Sequence, residues 1–322
     1  MINHKEHEGL SQGTQGGEGY NHFFSFKSFN HNYMNRTIKS IIYANMINMG
    51  GFSVRQAFPS HKAEQIDPFL LLHHANVKMP EHIPTNIAGV GPHPHRGFSP
   101  VTFIFRGGVH HQDSRGNNNV IYEGGTQWMN AGMGVIHSER PPHDIHEIGG
   151  VQEIIQLWVN TPAAHKMDLP VYFPASKEEI PFIETADKLA RINIVSGELN
   201  GVKGIIPTLS PVNTFTADIK EGGQFQFNIP SSHNAFVYVL NGKVTVNSSD
   251  EVLANYITTL NTDGEGFYIE ALEDATLMIG TGEPLNEPIA SHGPFVMNSQ
   301  TEIMEAFRDY QLGKMGVLIE EA

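Results

Sequence analysis

A chain of 322 residues, 39% of them hydrophobic, is long enough for two domains or one large β architecture. Charged residues make up only 17%, while 32 glycines and 19 prolines indicate many turns, so strands are favoured over helices. The net charge of −14 repels a phosphate backbone, and we expect no direct nucleic-acid binding. Because the chain has no cysteine, a metal site would need histidine and carboxylate ligands.

The first 35 residues are polar and rich in glycine, asparagine and histidine, which predicts a flexible N-terminal extension. They carry no charged-then-apolar signal pattern, and no stretch of the chain approaches the roughly 20 apolar residues of a membrane span. We therefore expect a cytoplasmic protein with no membrane partner. The following segment 36–49, "RTIKSIIYANMINM", fits either a short strand or a helix.

From Gly50 onward, apolar runs alternate with turns. "DPFLLLHHA" at 67–75 predicts a strand buried on both faces, and "VTFIFRGGV" at 101–109 predicts a strand that ends in a glycine turn. A proline-rich stretch near residue 162 interrupts this rhythm, and a second series of strands starts near residue 190. Only 298–316 is typical of a helix, with Ser299 or Thr301 as its N-cap and Gly313 near its end. The pattern predicts a β-sandwich or barrel that occurs twice.

Two short motifs carry candidate metal ligands. His93 and His95 in "GPHPHRGF" stand two residues apart, so on a strand they face the same side; a histidine-rich surface strand would explain them equally well. His137 and Glu139 in "GVIHSERP" repeat this spacing. If the two strands are neighbours, three imidazoles and one carboxylate converge. This set suits one divalent ion such as Fe²⁺, with Mn, Ni, Cu or Zn also compatible, and leaves positions for water, dioxygen or substrate.

The flanks of both motifs resemble the pirin family of bicupins. The resemblance rests on "GPHPHRGFSPVTFIFRGGVHHQDSRGN" at 91–117 and "QWMNAGMGVIHSERP" at 127–141. It extends to "GGFSVRQAFP", "DPFLLLHH", "QLWVNTP" and "HGPFVMNSQTEIMEAFRDYQLGKMG", or roughly residues 50–316. The chain departs from the common pattern at His73-His74, Asn130 and Thr161, none of which is a candidate ligand, so pocket shape and substrate preference stay open.

The resemblance implies an all-β fold of two stacked cupin (jelly-roll) β-barrels with a short C-terminal helix. We expect a metal-binding N-terminal cupin domain at 36–165, a linker at 166–189, and a C-terminal cupin domain without metal at 190–322. By the family pattern, His93, His95, His137 and Glu139 hold an iron-type ion.

The resemblance also implies two alternative functions. Many bacterial members act as quercetin 2,3-dioxygenases, which open a flavonol ring with O₂ and release carbon monoxide. Animal members are described as nuclear transcription co-regulators, so a non-catalytic, iron-binding redox sensor that acts through a protein partner is the alternative. Glu139, beside the ion, is the best-placed base for the hydroxyl proton of a small aromatic substrate such as a flavonol, unless it is a ligand only.

Three polar residues near these motifs allow two interpretations each. His111 and Asp113 in "HHQDS" either support the metal ligands or bond the backbone of their own turn. Arg96 either pairs with a carboxylate near the site or binds substrate, and we expect a structural ion pair.

Gln127, Trp128 and Met129 either line the cavity or belong to the core. His233 lies where cupin barrels often place a ligand, but Ala235 stands two residues further on. We therefore expect His233 to be hydrogen-bonded near the mouth of the second barrel rather than bound to metal.

Overall fold

A computed structural model of the chain describes residues 22–24, 34–49, 52–61, 65–82, 88–248 and 250–320. Most of the extension predicted over 1–35 lies outside the described residues, and its flexibility stays a prediction.

Short strands dominate the described residues. Those of the first half are β1 (His22–Phe24), β2 (Ile38–Tyr43), β3 (Asn45–Met49), β4 (Phe52–Phe58), β5 (Phe69–Met79), β6 (Val90–His95), β7 (Phe98–Arg106), β8 (Gly108–Asp113), β9 (Asn118–Tyr122), β10 (Thr126–Asn130), β11 (Val135–Arg140), β12 (Gly150–Asn160) and β13 (Val171–Ala175). Those of the second half are β14 (Phe182–Thr185), β15 (Ala190–Ser196), β16 (Glu198–Leu199), β17 (Val202–Lys203), β18 (Val212–Ile219), β19 (Gln224–Asn228), β20 (Asn234–Asn241), β21 (Lys243–Val246), β22 (Asp250–Leu253), β23 (Tyr256–Leu260), β24 (Gly266–Ala271), β25 (Ala275–Gly282), β26 (Ala290–His292) and β27 (Phe295–Met297).

These strands form two barrels of two sheets each. In the first barrel, a seven-stranded sheet of order β13-β10-β7-β12-β5-β4-β3 is combined with a four-stranded sheet of order β6-β11-β8-β9. In the second, an eight-stranded sheet of order β1-β14-β15-β18-β25-β20-β23-β2 is combined with a four-stranded sheet of order β19-β24-β21-β22. The predicted all-β fold of two cupin-type domains is confirmed.

Strand pairing crosses the predicted domain boundaries. The ambiguous segment 36–49 forms β2 and β3; β3 pairs with β4 of the first barrel, whereas β2 pairs with β23 of the second. Within the predicted linker, β13 pairs with β10 and β14 pairs with β15. The domain boundaries at residues 36, 166 and 190 therefore stay a prediction.

Two α-helices and one short 3-10 helix (Ala163–His165) occur among the described residues. The predicted C-terminal helix is α2 (Gln300–Gln311), and the Ser299 side chain caps it by accepting a hydrogen bond from the Glu302 backbone N–H. The short helix α1 (His143–Ile148) was not predicted, because its six residues between Pro142 and Gly149 are mostly polar and too few to show a helical period. None of these helices is long and apolar enough to cross a membrane.

A large apolar core joins the two barrels. The ring of Phe236 on β20 lies 5.5 Å from that of Phe58 and 5.1 Å from that of Phe69, both from the first barrel. All three side chains are fully buried, and each such burial contributes roughly 1.5–3 kcal/mol. The two barrels are therefore held together by the same force that stabilises each of them.

The interiors of the two barrels differ in chemistry. The second barrel is filled by a cluster of buried aliphatic and aromatic side chains that includes Phe215, Phe227 and Phe267. The first barrel instead buries polar groups on the inner faces of its strands, among them Thr102, Gln127 and Glu139. Buried polar groups require hydrogen-bond partners, so this interior is the place to look for a site.

His73 is expected to make the stability of the fold depend on acid pH. Its Nε2–H donates to the Gln56 side-chain oxygen at 2.8 Å, and burial lowers its pKa to about 4 from the ordinary 6.5. The unfolded chain therefore binds more protons than the folded chain between these values. The free energy of unfolding should fall as the pH drops through this window, by about 3 kcal/mol from this group.

Urea unfolding of wild type, His73→Gln and His165→Gln between pH 4 and 7 tests this expectation. His73→Gln should flatten the acid limb of the stability curve. His165, whose side chain is 44% exposed, serves as the control, and its variant should keep the wild-type slope. Parallel curves for all three proteins would show that His73 does not carry the effect.

Candidate metal centre

Three imidazoles converge inside the first barrel. Strands β6 and β11 are antiparallel neighbours whose register sets His137 opposite His93, and His95 follows on the same face of β6. The Nε2 atom of His93 lies 3.0 Å from that of His95 and 3.0 Å from that of His137. Together these residues form a group whose ligand atoms all lie within 4.8 Å of one another.

Hydrogen bonds determine which ring nitrogens carry lone pairs. A carbonyl oxygen only accepts, so Nδ1 of His93 donates to Gly91 O at 2.8 Å and Nδ1 of His95 donates to Pro294 O at 3.3 Å. When both rings are neutral, their Nε2 atoms carry no proton, and the two lone pairs face each other. Two lone pairs at this distance repel unless a cation lies between them. The donor set therefore fits a borderline divalent ion bound by imidazole nitrogens.

Burial keeps the rings of His95 and His137 in the neutral form that binds metal. It lowers the pKa of His95 well below its ordinary value, and the neighbouring His93 adds to this effect. Burial likewise lowers the pKa of His137, with further contributions from His93, His95 and His111. Nδ1 of His137 is buried without a hydrogen-bond partner among the described residues.

Glu139 lies two residues beyond His137 on β11, after a register shift, and three side chains donate to its carboxylate. Oε1 accepts from the Thr102 hydroxyl at 2.6 Å and from the Gln127 amide, and Oε2 accepts from the Gln156 amide at 2.8 Å. The donors stand on β7, β10 and β12, so one carboxylate joins three strands of the large sheet to β11. The carboxylate is not part of the group of ligand atoms within 4.8 Å of one another.

Asp113 bonds the backbone of its own turn, as one of the two predicted interpretations held, and the ring of His111 lies 5.3 Å from that of His137. That the pair supports the metal ligands stays a prediction. Nε2 of His111 lies 3.1 Å from Oδ2 of Asp113, and the His111 ring stacks on Tyr172 at 4.0 Å. Asp113 also accepts from the backbone N–H groups of Arg115 and Asn117, which closes its own turn. Burial raises the pKa of Asp113, but hydrogen bonds from His111 and Asn117 outweigh it and leave the pKa below its ordinary value.

Residues 290–320, here called the C-terminal arm, pack on the first barrel. The arm supplies Pro294 O to His95, and Arg96 forms an ion pair with Asp309 at 3.1 Å, so the structural interpretation of Arg96 is confirmed. Arg140 binds both carboxylate oxygens of Glu320, at 2.8 and 2.9 Å. The predicted site thus includes a contact from the far end of the chain, which local sequence patterns do not reveal.

Buried Lys166 fixes the arm beside the site. Its Nζ donates to Gly97 O at 2.6 Å, Asn160 Oδ1 at 2.7 Å and Val296 O at 3.1 Å, and burial lowers its pKa to about 8. At Gly97, whose φ is +82°, a Cβ atom would lie 2.1 Å from Val296 O. Only glycine therefore allows the arm to approach this closely.

The remaining predicted residues divide between site and core. Gln127 contacts Glu139, whereas Trp128 lies in the core between the barrels and Met129 is buried beside it on β10. His233 is buried and bonds the Thr281 hydroxyl at 3.1 Å, as expected.

Thr102, Gln156 and Tyr172 were missed by the sequence analysis. For Thr102 and Gln156 a signal existed, because each is a lone polar residue in an apolar strand, "VTFIF" and "IIQLW". Tyr172 donates to Gln127 Oε1 at 3.0 Å from β13, and nothing in its local sequence marks it.

The fold and this site define a class of protein: a bicupin with a histidine cluster in its first barrel. Residues 51–159 match the family model described as Pirin, and residues 214–316 match that of the Pirin C-terminal cupin domain. The chain belongs to the pirin family.

Individual relatives agree with this assignment. A pirin-like protein of Solanum lycopersicum is 36% identical over 270 residues, which is 83% of this chain and 88% of that protein. The crystal structure of a quercetin 2,3-dioxygenase from Acinetobacter baumannii shares 36% identity with a TM-score of 0.83, covering 89% of this chain and all of that one. A bacterial pirin from Escherichia coli in complex with nickel(II) has 17% identity and a TM-score of 0.59 over 76% of this chain, which shows the fold alone.

Replacing Lys166 with methionine should disturb both stability and the His95 environment. The change leaves three buried oxygens without their shared donor, so the free energy of unfolding should fall by about 3 kcal/mol. Affinity for a divalent metal ion should fall about tenfold, because the arm that carries Pro294 O loses its anchor. Urea unfolding and chelator competition measure the two quantities, with Lys188→Met, an exposed substitution, as control. If the Lys166 variant is destabilised but its metal affinity is unchanged, Lys166 stabilises the fold without affecting the metal site.

Proposed function

We propose that this protein is a mononuclear metal-dependent dioxygenase that opens a flavonol ring with O₂, as quercetin 2,3-dioxygenase does. The observation that carries the proposal is the convergence of three imidazoles on one point, next to a buried carboxylate. The similarity to the Acinetobacter quercetin 2,3-dioxygenase at 36% identity and a TM-score of 0.83 supports it.

In this proposal, His93, His95, His137 and Glu139 are the metal ligands, and the ion is Fe²⁺, although Mn, Ni, Cu and Zn suit the same donors. A divalent ion bound there acts as a Lewis acid and lowers the pKa of a flavonol hydroxyl group. The hydrogen bonds of the His93 and His95 Nδ1 atoms hold both rings in the orientation that this binding requires.

Glu139 accepts the substrate's 3-hydroxyl proton in this proposal. Oε1 already accepts two hydrogen bonds, whereas Oε2 accepts one among the described residues, from Gln156, so Oε2 is the oxygen with room for a proton. The donors Thr102 and Gln127 hold the carboxylate in place during the transfer. With the proton removed, the electron-rich ring reacts with O₂ and opens with release of carbon monoxide, as the family resemblance implies.

Aromatic side chains beside the cluster suit a planar substrate. The ring of half-buried Trp158 lies 5.6 Å from that of His95 and 4.2 Å from that of Phe98. Half-buried Tyr172 stacks on His111. We propose that these rings pack against the flavonol, because aromatic pairs gain from stacking and edge contacts beyond the area that they bury.

Replacing His95 with alanine tests the ligand assignment. Iron content should fall from about one ion per chain to less than about a tenth, because two imidazoles and a carboxylate bind such an ion far more weakly than the full set. Elemental analysis of the purified variant measures this. His233→Ala is the matched control, since it removes a buried histidine from the other barrel, and it should keep its iron. Full iron content in the His95 variant would refute the assignment.

Replacing Glu139 with glutamine tests the proton-accepting role. The amide keeps the shape and an oxygen donor but takes up no proton, so oxygen uptake with quercetin per bound iron should fall at least about a hundredfold. An oxygen electrode with parallel iron analysis separates loss of the ion from loss of the base. Unchanged uptake per iron would mean that Glu139 is a ligand only.

The wild-type protein decides between the two functions that the family resemblance implies. If the iron-loaded protein consumes oxygen and releases carbon monoxide with quercetin, the dioxygenase is supported. If it holds iron but consumes no oxygen with any flavonol, the dioxygenase is abandoned in favour of a redox-sensing regulator with a protein partner.

A further inference from the structure

A cavity of approximately 910 Å³ lies between the two barrels, and none of His93, His95, His137 or Glu139 lines it. Strands of the large sheet of the first barrel form one wall. The outer face of β15, β18 and β25 in the second barrel forms the other, with Asn193, Thr216 and Thr276 among its residues. A space of this size, bounded by polar groups from two domains, is typical of a site for a small polar ligand.

Four cationic side chains line this cavity: Arg55, Arg106, Lys177 and Arg191. Within the described part of the chain, none of them has a carboxylate oxygen within 4.0 Å, although the protein has 34 acidic residues. Arg55 donates to Tyr43 Oη at 2.8 Å, and Arg191 donates to Asn193 Oδ1 at 3.1 Å. These uncharged partners orient two of the guanidinium groups, and Arg191 also stacks on the Phe182 ring at 3.6 Å. Glu153 lies opposite Arg106 and Asp218 opposite Arg191 in the strand register, but neither forms an ion pair with it within 4.0 Å.

Three acidic residues also line the cavity, and two of them already have hydrogen-bond donors. Glu153 accepts from His74 Nε2–H at 3.0 Å and from the Asn76 amide at 2.8 Å, and Asp218 accepts from the Thr276 hydroxyl at 3.1 Å. The third, Glu123, is exposed at the rim. The cations therefore outnumber the carboxylates, in a protein whose net charge is −14.

We propose that the inter-barrel cavity binds a small organic anion with two or more anionic groups, such as a phosphorylated or multiply carboxylated metabolite. Arg106 of the first barrel and Arg191 of the second contact its anionic oxygens from opposite walls, and guanidinium groups suit the geometry of both phosphate and carboxylate. The hydroxyl and amide groups of Thr216 and Asn193 bind its uncharged polar atoms. The metal centre takes no part in this binding.

Isothermal titration calorimetry at low ionic strength tests the proposal, with inorganic pyrophosphate and citrate as separate probes. The double variant Arg106→Gln/Arg191→Gln should bind at least about tenfold more weakly than wild type, because it removes one cation from each wall. Lys177→Gln, an exposed change, should weaken binding about threefold. The matched control is Lys78→Gln, an exposed cation on β5 outside the cavity, which should bind within about twofold of wild type.

The same titrations with His95→Ala distinguish the cavity from the metal centre, since both probes also chelate metal ions. Binding should be retained in that variant. Binding of pyrophosphate alone identifies the ligand class as organic phosphates, binding of citrate alone identifies carboxylates, and binding of both supports the shared anionic chemistry. The proposal is overturned if neither probe binds below about 10 mM, if binding disappears in His95→Ala, or if the double variant binds as wild type does.

Discussion

The hydrogen bonds from Nδ1 of His93 and His95 to the carbonyl oxygens of Gly91 and Pro294 direct two bare Nε2 atoms toward the same point, 3.0 Å apart. Burial disfavours the alternative of protonating His95, so the arrangement is favourable only with a cation between the lone pairs. Pro294 lies 199 residues from His95 in the chain. The site therefore requires the first barrel and the docked C-terminal arm, and metal affinity is expected to depend on residues far from any ligand.

The candidate ligands could be predicted from the sequence because an i, i+2 pair on a strand shares a face, and two such pairs, 44 residues apart in the chain, stand in flanks that resemble the pirin family. The support around them could not be predicted to the same extent. Thr102 and Gln156 stood out only as polar residues in apolar strands, and Tyr172 and Pro294 reach the site through tertiary packing. The segment 36–49 shows the same limit, since its pattern fitted helix or strand and only pairing with β23 and β4 decided the matter.

The large sheet of the first barrel lies between the candidate metal centre and the inter-barrel cavity. On β7, Thr102 faces Glu139 while its neighbour Phe103 lines the cavity, and on β10 the same division holds for Gln127 and Thr126. A ligand that shifts these strands on the cavity side would displace the donors that hold the Glu139 carboxylate. Neighbouring residues of one strand thus contact two chemically different sites, because successive side chains of a strand point to opposite faces.

The two barrels show how one fold supports different interiors. In the second barrel, apolar side chains fill the interior, and His233 forms a hydrogen bond with the Thr281 hydroxyl. No set of metal ligands converges there among the described residues. In the first barrel, apolar side chains of the large sheet such as Val101, Phe103 and Leu157 pack in the core shared with the second barrel. Neighbouring positions on the same strands carry the polar side chains of Thr102 and Gln156, which face Glu139. The second barrel therefore contributes hydrophobic stability that the polar interior of the first does not supply, and this division allows buried imidazoles and a buried carboxylate to persist in a stable fold.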